Sequence, residues 1–247
     1  MAERIRKRIH LSEVDSTNVE VRRRLEAGEP LPELTLVDAD SQTQGRGQRG
    51  NSWESEAGQN LSFSLVCHPQ WVKASEQFVL SQAIALAVAE NVDGSTVKWP
   101  NDIYIGDRKV SGTLIECDLR GSQIETCIIG TGVNVNQTEF RSDAPNPVSM
   151  AQVAGHTFDR ETLLQAIVQR FVQYYEKIRN GQADEVRQVY RQRLYRRTGF
   201  HRYADAQGEF LAEIADVERT GHLILRKEDG TLHRYEFKEV RFLIHNA

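Results

Sequence analysis

Apolar side chains recur with distinct periods along the chain, and each period predicts an element of secondary structure. Residues 61–67 alternate largely between apolar and polar positions, which predicts a strand, and the short apolar run 34–39 predicts another. Residues 75–91 are apolar nearly all round, which is typical of a helix packed inside a core. Between Asp159 and Gly181, apolar residues recur at i, i+3 and i+4, which predicts a long helix with Asp159 as its N-cap.

Three β-rich runs follow the helix predicted at residues 75–91, and they lie at residues 97–105, 109–118 and 123–131. The turn signals between them, at 106–107 and 120–122, are short. Because short turns join antiparallel neighbours, we expect three strands side by side in one sheet.

The pattern changes after Arg197. Residues 199–247 contain short apolar runs separated by Gly208, by Gly221 and by Asp229-Gly230, and the last pair is a strong hairpin signal. A series of short strands predicts a small β-barrel at the C-terminus. We therefore predict an α+β fold, with one domain over residues 1–198 and the barrel over 199–247.

Composition narrows the classes of function. The 247 residues include 31 Lys and Arg against 35 Asp and Glu, a net charge of −4, which argues against a generally basic nucleic-acid-binding surface. No apolar run approaches the roughly 18 residues of a membrane span, and the charged N-terminus does not resemble a signal peptide. Three cysteines without a CxxC pair favour a reducing cytoplasm over a disulfide framework or a zinc site.

A long segment without periodicity, residues 41–60, is the first candidate for chemistry. Its centre, 44–53, has the sequence QGRGQRGNSW. Glycines let a backbone approach a ligand closely and direct its N–H groups inward, while Arg46 and Arg49 offer planar forks to phosphate or carboxylate oxygens. No Gly-Lys-Ser/Thr follows, so this is not a Walker loop. The alternative is a flexible loop that is simply rich in Gly and Arg.

Two further segments carry polar residues on predicted strands. KWPND at 98–102 precedes Lys109, and a lysine on an inward strand face costs free energy unless an anion meets it. Gly112 indicates a close approach to the same strand, although Lys109 as a solvated edge residue is the alternative. Residues 130–136 (GTGVNVN) fit either a β-bulge with a turn or a site where the amide of Asn134 contacts an adenine edge.

In chain order, these segments resemble the biotin protein ligase family. The resemblance covers nearly the whole chain, from about His10 onward, and rests on five motifs: Ser16-Thr17-Asn18, GRGxRGxxW at 45–53, KWPND at 98–102, KxxGxLxE at 109–116 and GxGxN at 130–134. It implies a mixed, largely antiparallel sheet backed by helices, like the core of class II aminoacyl-tRNA synthetases, and a small Src-homology-3-like barrel. Because the first motif begins at residue 16, it also implies a form without the DNA-binding domain that some members carry.

The resemblance further implies a two-step reaction. Biotin and magnesium–ATP give biotinyl-5′-AMP and pyrophosphate, and a lysine in the biotin carrier domain of acetyl-CoA carboxylase or a related carboxylase then displaces AMP. Such an enzyme needs no nucleophile of its own, because it works by positioning two anions and neutralising developing charge. The implied protein is a cytoplasmic ligase, a monomer or weak homodimer, that binds neither DNA nor a membrane.

The family's functional residues map onto matching positions of this sequence. Lys109 and Arg46 are the expected catalytic residues, at the biotin carboxylate and the α-phosphate. The ureido group of biotin is expected at Ser16, Thr17 and Asn18, with Gln42 closing the pocket. The carboxylate and the phosphate are expected at Arg46, Gly47, Gln48 and Arg49, and the walls of the site at Trp53 and Trp99. The nucleotide and its metal are expected at Asn101, Asp102 and Asn134, with Asp102 as candidate metal ligand, and further substrate contacts at Gly45, Lys98, Gly112 and Gly132.

One position departs from the family, and two other functions compete with biotin ligation. The family loop is often GRGRRG, but the fourth residue here is Gln48, and an amide is a weaker phosphate partner than a guanidinium. We therefore expect looser retention of the adenylate. Lipoate–protein ligases share the fold and the two-step reaction, although Trp53 and segment 98–102 favour biotin. A non-catalytic adaptor that binds protein or RNA would leave the Arg-rich loop and Lys109 unexplained.

Overall fold

The computed structural model describes residues 5–142 and 145–244, which form two β-sheets and five α-helices. The strands are β1 (Lys7–Val14), β2 (Thr35–Gln42), β3 (Leu61–Cys67), β4 (Ser95–Lys98), β5 (Asp102–Ile105), β6 (Arg108–Arg120), β7 (Gln123–Val133), β8 (His201–Asp205), β9 (Gly208–Val217), β10 (Leu223–Lys227), β11 (Leu232–Tyr235) and β12 (Arg241–Phe242). The helices are α1 (Thr17–Glu26), α2 (Phe78–Ala89), α3 (Met150–Ala154), α4 (Arg160–Arg179) and α5 (Ala183–Gln192). Within the described part of the chain, no helix is both long and apolar enough to cross a membrane.

The first sheet has seven strands in the order β1-β2-β3-β7-β6-β5-β4. Strands β1 and β2 are parallel, because α1 carries the chain back between them, and every other neighbouring pair is antiparallel. Helices α2, α4 and α5 pack together in the main core, whereas α1 covers a smaller cluster around Val21. The prediction of a mixed, largely antiparallel sheet backed by helices is confirmed.

The predicted strand at residues 97–105 is wrong, because the chain forms two strands there. Strand β4 ends at Lys98, the chain reverses through Trp99-Pro100-Asn101, and β5 begins at Asp102 and pairs antiparallel with β4. Proline has no N–H to donate to a ladder, so Pro100 interrupts the strand in the middle of the motif. The region therefore contributes four strands rather than three.

The C-terminal segment forms a separate antiparallel sheet in the order β11-β10-β9-β8-β12. The predicted series of short strands is confirmed, but a closed barrel is not. Strands β11 and β12 lie at opposite ends of this order, and no pairing between them is formed in the described residues. The chain between them turns at Glu236–Glu239, where the amide of Glu239 donates to the carbonyl of Glu236.

Trp99 joins the two sheets. It is 3% exposed, its indole Nε1 donates to the carbonyl of Gly221 at 2.8 Å, and its ring meets Phe237 edge-on with centroids 6.0 Å apart. Gly221 has φ +95°, and a Cβ there would lie 2.8 Å from the ring of Phe78, so the turn between β9 and β10 needs glycine for two reasons. The Trp99–Gly221 hydrogen bond and the Gly221–Phe78 contact thus hold the β9–β10 turn of the C-terminal sheet against the first sheet and the start of α2.

We expect Trp99→Phe to lower the free energy of unfolding by about 2 kcal/mol, because the Gly221 carbonyl loses its donor and the smaller ring leaves a gap. Urea unfolding monitored by circular dichroism measures this. Trp71→Phe is the matched control, because Trp71 is 38% exposed. Equal losses in the two variants would show that Trp99 does not hold the sheets together.

Candidate functional site

A cavity of about 710 Å³ opens above strands β6 and β7, between the start of α1 and the 45–53 loop. Most of the residues predicted for the site line it: Ser16, Thr17, Asn18, Gln42, Arg46, Gly47, Gln48, Trp53, Asp102, Lys109, Gly112 and Gly132. Further lining residues were not predicted, among them Thr113, Thr131, Arg141, Ser142, Pro145 and Phe237. Segments far apart in sequence therefore meet in one concave site.

The first turn of α1 forms a polar end of this cavity. Ser16 is the N-cap residue with an extended backbone, and its side chain makes no capping hydrogen bond, so its hydroxyl remains available. Thr17 donates its N–H and its hydroxyl to the Gln42 Oε1, at 2.8 and 3.2 Å. The hydroxyl of Ser64 lies 2.8 Å from Thr17 Oγ1 and 2.7 Å from Asn18 Oδ1. These bonds fix the orientation of each buried polar group.

Asn18 is held in place by Glu116, a residue of the 109–116 motif for which the sequence predicts no role of its own. Its Nδ2 donates to the Glu116 carboxylate at 2.8 Å. A Cβ at Gly130 would lie 2.7 Å from the Asn18 Cγ, so the strand beneath this amide must carry glycine. Glu116 and Gly130 therefore position Asn18 at the cavity.

The glycine loop is a narrow hairpin. The Gly47 N–H donates to the Asn51 carbonyl at 2.7 Å, and the Trp53 N–H donates to the Gly45 carbonyl at 2.9 Å. A Cβ at Gly45 would overlap the carbonyl oxygen of Trp53, so this glycine permits the two arms to pass closely. The N–H of Gly47 is thus used inside the loop rather than directed at a ligand.

The indole of Trp53 lies on a floor made by two glycines. Gly112 and Gly132 are direct partners across β6 and β7. A Cβ at Gly132 would lie 2.7 Å from the Trp53 Cζ2, and one at Gly112 would lie 3.3 Å from its Cζ3. Trp53 Nε1 is buried and has no hydrogen-bond partner among the described residues. The ring therefore closes one side of the cavity and brings an unsatisfied donor with it.

Lys109 lies beside this ring and forms an ion pair with Asp102. The distance from Nζ to the Asp102 Oδ1 is 2.7 Å, and Nζ lies 5.8 Å from the centroid of the Trp53 ring. The backbone of Lys109 is fixed as well, because its N–H donates to Asn146 and its carbonyl accepts from Val148. Lys109 is therefore a positioned cation inside the cavity rather than a free strand-edge residue.

Asp102 is the only carboxylate among the described residues that line the cavity. No group of three or more His, Cys, Asp or Glu residues is placed to hold a metal in ranges 5–142 and 145–244. One carboxylate already paired with a lysine is a poor resident metal site. Such a donor set fits a magnesium ion that arrives bound to a polyphosphate better than a metal held by the protein alone.

Two arginines line the cavity at its more exposed side. Arg46 is exposed, and its guanidinium has no hydrogen-bond or ion-pair partner in the described part of the chain. Arg141 comes from the loop after β7 and is also exposed. The side chain of Arg49 lies outside the described residues. Lys109 pairs with Asp102, and Arg141 lies 3.6 Å from the Glu139 carboxylate, but the cations that line the cavity still outnumber its one lining carboxylate.

Glu54 fixes the loop that carries Arg141. Its carboxylate accepts from the backbone N–H groups of Arg141, at 2.9 and 3.0 Å, and of Ser142, at 2.6 Å, and from the amide of Gln137. Burial favours the neutral acid, but these hydrogen bonds outweigh it and lower the pKa of Glu54. No local sequence pattern could have revealed this contact, because residues about 90 positions apart form it.

Gln48 anchors the loop to Asn101 and to strand β6. The Gln48 Nε2 donates to the Asn101 Oδ1 at 3.2 Å and to the Thr113 carbonyl at 3.0 Å. Asn101 is 4% exposed and donates in turn to Ser81 at 2.9 Å. The side chain that departs from the family pattern is thus engaged with the protein in this structure.

The other predicted residues do not line the cavity. Asn134 is buried and donates from Nδ2 to the Val148 carbonyl at 3.2 Å, while its Oδ1 has no partner among the described residues. Trp99 faces the C-terminal sheet, and Lys98 lines a neighbouring groove. Neither Gly45, which belongs to the loop itself, nor Asn101 is part of the cavity wall. Their predicted substrate contacts stay predictions.

Comparisons with known proteins agree with this arrangement. A model of the biotin/lipoate A/B protein ligase family matches residues 6–134. The biotin–acetyl-CoA-carboxylase ligase of Paracoccus denitrificans is 30% identical over 237 residues, which cover 89% of this chain and 94% of that protein. The bifunctional ligase/repressor BirA of Bacillus spizizenii is 28% identical over 214 residues, 83% of this chain but only 65% of that protein's length.

A solved structure of similar fold is the biotin protein ligase from Aquifex aeolicus in complex with biotin and ATP. Its TM-score is 0.80 at 24% sequence identity, and the match covers 96% of this chain and 100% of that chain. At this level of identity, the likeness establishes the fold.

We expect Gly132→Ala to displace the Trp53 indole, because the new methyl group would occupy the space of the ring. Acrylamide quenching of tryptophan fluorescence should increase, and a Trp53→Phe protein supplies the background from the other two tryptophans. Gly112→Ala is the control, because its Cβ meets the ring only at 3.3 Å and should have a smaller effect. Unchanged quenching in Gly132→Ala would mean that the indole does not rest on this floor.

Proposed function

Because the chain belongs to the biotin/lipoate A/B protein ligase family, we propose that it is a biotin–protein ligase. It activates biotin with ATP to biotinyl-5′-AMP and transfers the biotinyl group to a lysine in the carrier domain of acetyl-CoA carboxylase or a related carboxylase. The observation that carries this proposal is the single cavity in which the polar start of α1, the Trp53 ring and the Lys109–Asp102 pair face one another.

The polar end of the cavity suits the ureido group of biotin. Ser16 offers a free hydroxyl, while Thr17 and Asn18 are fixed by Gln42 and Glu116. A ureido group has two N–H donors and one carbonyl acceptor, and oriented hydroxyl and amide groups can match all three. The indole of Trp53 then covers the apolar bicyclic ring, as expected for a mostly apolar ligand with few polar anchors.

The cations suit the first chemical step. A carboxylate oxygen of biotin attacks the α-phosphorus of ATP, the new C–O–P linkage forms, and the bond to the bridging oxygen breaks as pyrophosphate leaves. Lys109 and Arg46 neutralise the oxygens that gain charge, and Asp102 holds the ammonium of Lys109 in place. A magnesium ion brought in by ATP would neutralise phosphate charge, and Asp102 is the residue that would bind it.

The second step requires positioning only. The neutral amine of the target lysine attacks the carbonyl carbon of the anhydride, an amide bond forms as the nitrogen loses a proton to solvent, and AMP leaves with the electron pair of the broken C–O bond. Trp53 limits access of water to the anhydride, which would otherwise hydrolyse. As part of the same proposal, residues 1–198 form the catalytic domain and 199–247 a barrel-like module of a cytoplasmic enzyme that is a monomer or weak homodimer.

Biotin-dependent exchange of labelled pyrophosphate into ATP tests the activity directly. We expect exchange with biotin, none without it, and a mass increase on one lysine of a carrier domain when that domain is added. Exchange that proceeds with lipoate and not with biotin would instead assign the chain to the lipoate branch of the family.

We expect Lys109→Ala to lower kcat/KM for adenylation by roughly 100- to 1000-fold, as for the loss of one preorganised donor to a developing anion. Steady-state exchange kinetics measure this. Thermal unfolding should change little, because the side chain is 31% exposed. Lys177→Ala is the control, since this lysine pairs with Glu185 at the surface. Near-normal exchange by Lys109→Ala would remove Lys109 from the mechanism.

A further inference from the structure

The three cysteines of the chain lie side by side across the first sheet. Cys127 of β7 is the direct partner of Cys67 on β3 and of Cys117 on β6, so all three side chains leave the same face of the sheet. That face packs against the main core rather than against α1. The proposed reaction uses none of these thiols.

Cys117 and Cys127 are close enough to form a disulfide. Their Sγ atoms lie 3.3 Å apart. Directly opposite residues of an antiparallel pair have Cα atoms about 4.5–5.5 Å apart, which lies within the range that disulfides bridge. The two sulfurs need only approach to about 2.0 Å, so the bond can form without a change of strand register.

The two thiols differ in access and in acidity. Cys117 is partly exposed, whereas Cys127 and Cys67 are fully buried. The hydrogen bond with Cys127 lowers the pKa of Cys117, and the same contact together with burial raises the pKa of Cys127. Because the thiolate is the reactive form, an oxidant from solvent meets Cys117 first, and Cys127 is the second thiol behind it.

We propose that Cys117 and Cys127 form a reversible oxidation site that takes a hydroperoxide as its oxidant. The Cys117 thiolate attacks one oxygen of the peroxide and the O–O bond breaks, which gives a sulfenic acid and an alcohol or water that carries the proton Cys117 released. The Cys127 sulfur then attacks the Cys117 sulfur. The S–S bond forms as the S–O bond breaks, and the departing hydroxide takes the Cys127 proton and leaves as water. Two thiols are oxidised and one peroxide is reduced.

The position of the pair separates this chemistry from the ligand cavity. The residues on either side of Cys117 point to the opposite face of β6, where Glu116 accepts from Asn18 and Asp118 forms an ion pair with Arg22. The disulfide therefore forms on the core face while both contacts to α1 are kept. It also protects Cys117 from further oxidation to the sulfinic acid, which is not reversible by thiols.

Treatment of the full chain with hydrogen peroxide, followed by alkylation of the remaining thiols in denaturant and digestion with trypsin, tests the site. The three cysteines fall in separate tryptic peptides, 50–73, 110–120 and 121–141. We expect peptides 110–120 and 121–141 to be joined by a disulfide that dithiothreitol reverses, with Cys67 alkylated. A cross-link to peptide 50–73, a disulfide between two copies of the chain, or full alkylation of Cys117 after excess peroxide would overturn the site.

Variants separate the roles of the two thiols. We expect Cys117→Ser to slow the loss of thiols by about tenfold or more, because the two that remain are buried. Cys127→Ser should instead leave a sulfenic acid on peptide 110–120, which dimedone traps. Cys67→Ser is the matched control, since Cys67 also neighbours Cys127, and it should form the cross-link at the wild-type rate. Equal rates of thiol loss in Cys117→Ser and Cys67→Ser would contradict the role of Cys117, and the peptide map of the wild type decides the proposal if a variant unfolds.

Discussion

The architecture of the site depends on one steric constraint, the absence of side chains at two paired positions of β6 and β7. Gly112 and Gly132 leave a flat surface, and the Trp53 indole occupies the space where Cβ atoms would lie. That contact determines how far the 45–53 hairpin can descend onto the sheet. The same surface leaves room for the Lys109 ammonium, which lies 3.1 Å from the position of a Gly112 Cβ. The missing side chains therefore give the loop and the cation their space, and hydrogen bonds and the Lys109–Asp102 ion pair then hold them there.

Periodicity in the sequence predicted several helices and strands, and it failed where a single residue or a tertiary contact overrides the pattern. The long helix at α4, the core helix α2 and the strand β3 follow from apolar spacing alone. Pro100 splits one predicted strand into two, because a missing N–H outweighs the β-rich pattern around it. That the C-terminal sheet stays open could not be predicted from hairpin signals, since closure depends on pairing between its two edge strands, β11 and β12.

The same division holds for the site. Motifs in family order located the start of α1, the glycine loop and Lys109, because close approach of backbone and ligand demands particular residue types there. Arg141 and Ser142 were missed, since their placement depends on hydrogen bonds to Glu54, far away in sequence. Asn101 and Trp99 were expected at the substrate; both make protein contacts in this structure, and their substrate contacts stay predictions. A motif identifies a region under constraint without saying which of its residues meets the ligand.

The KWPND motif shows how one short segment can serve several purposes at once. Because β4 reverses into β5 within it, its successive side chains leave in different directions. Trp99 anchors the C-terminal sheet, Asn101 supports the glycine loop through Gln48, and Asp102 holds Lys109. The tight turn thus lets Asp102 hold Lys109 while Lys98, four residues earlier, stays outside that ion pair.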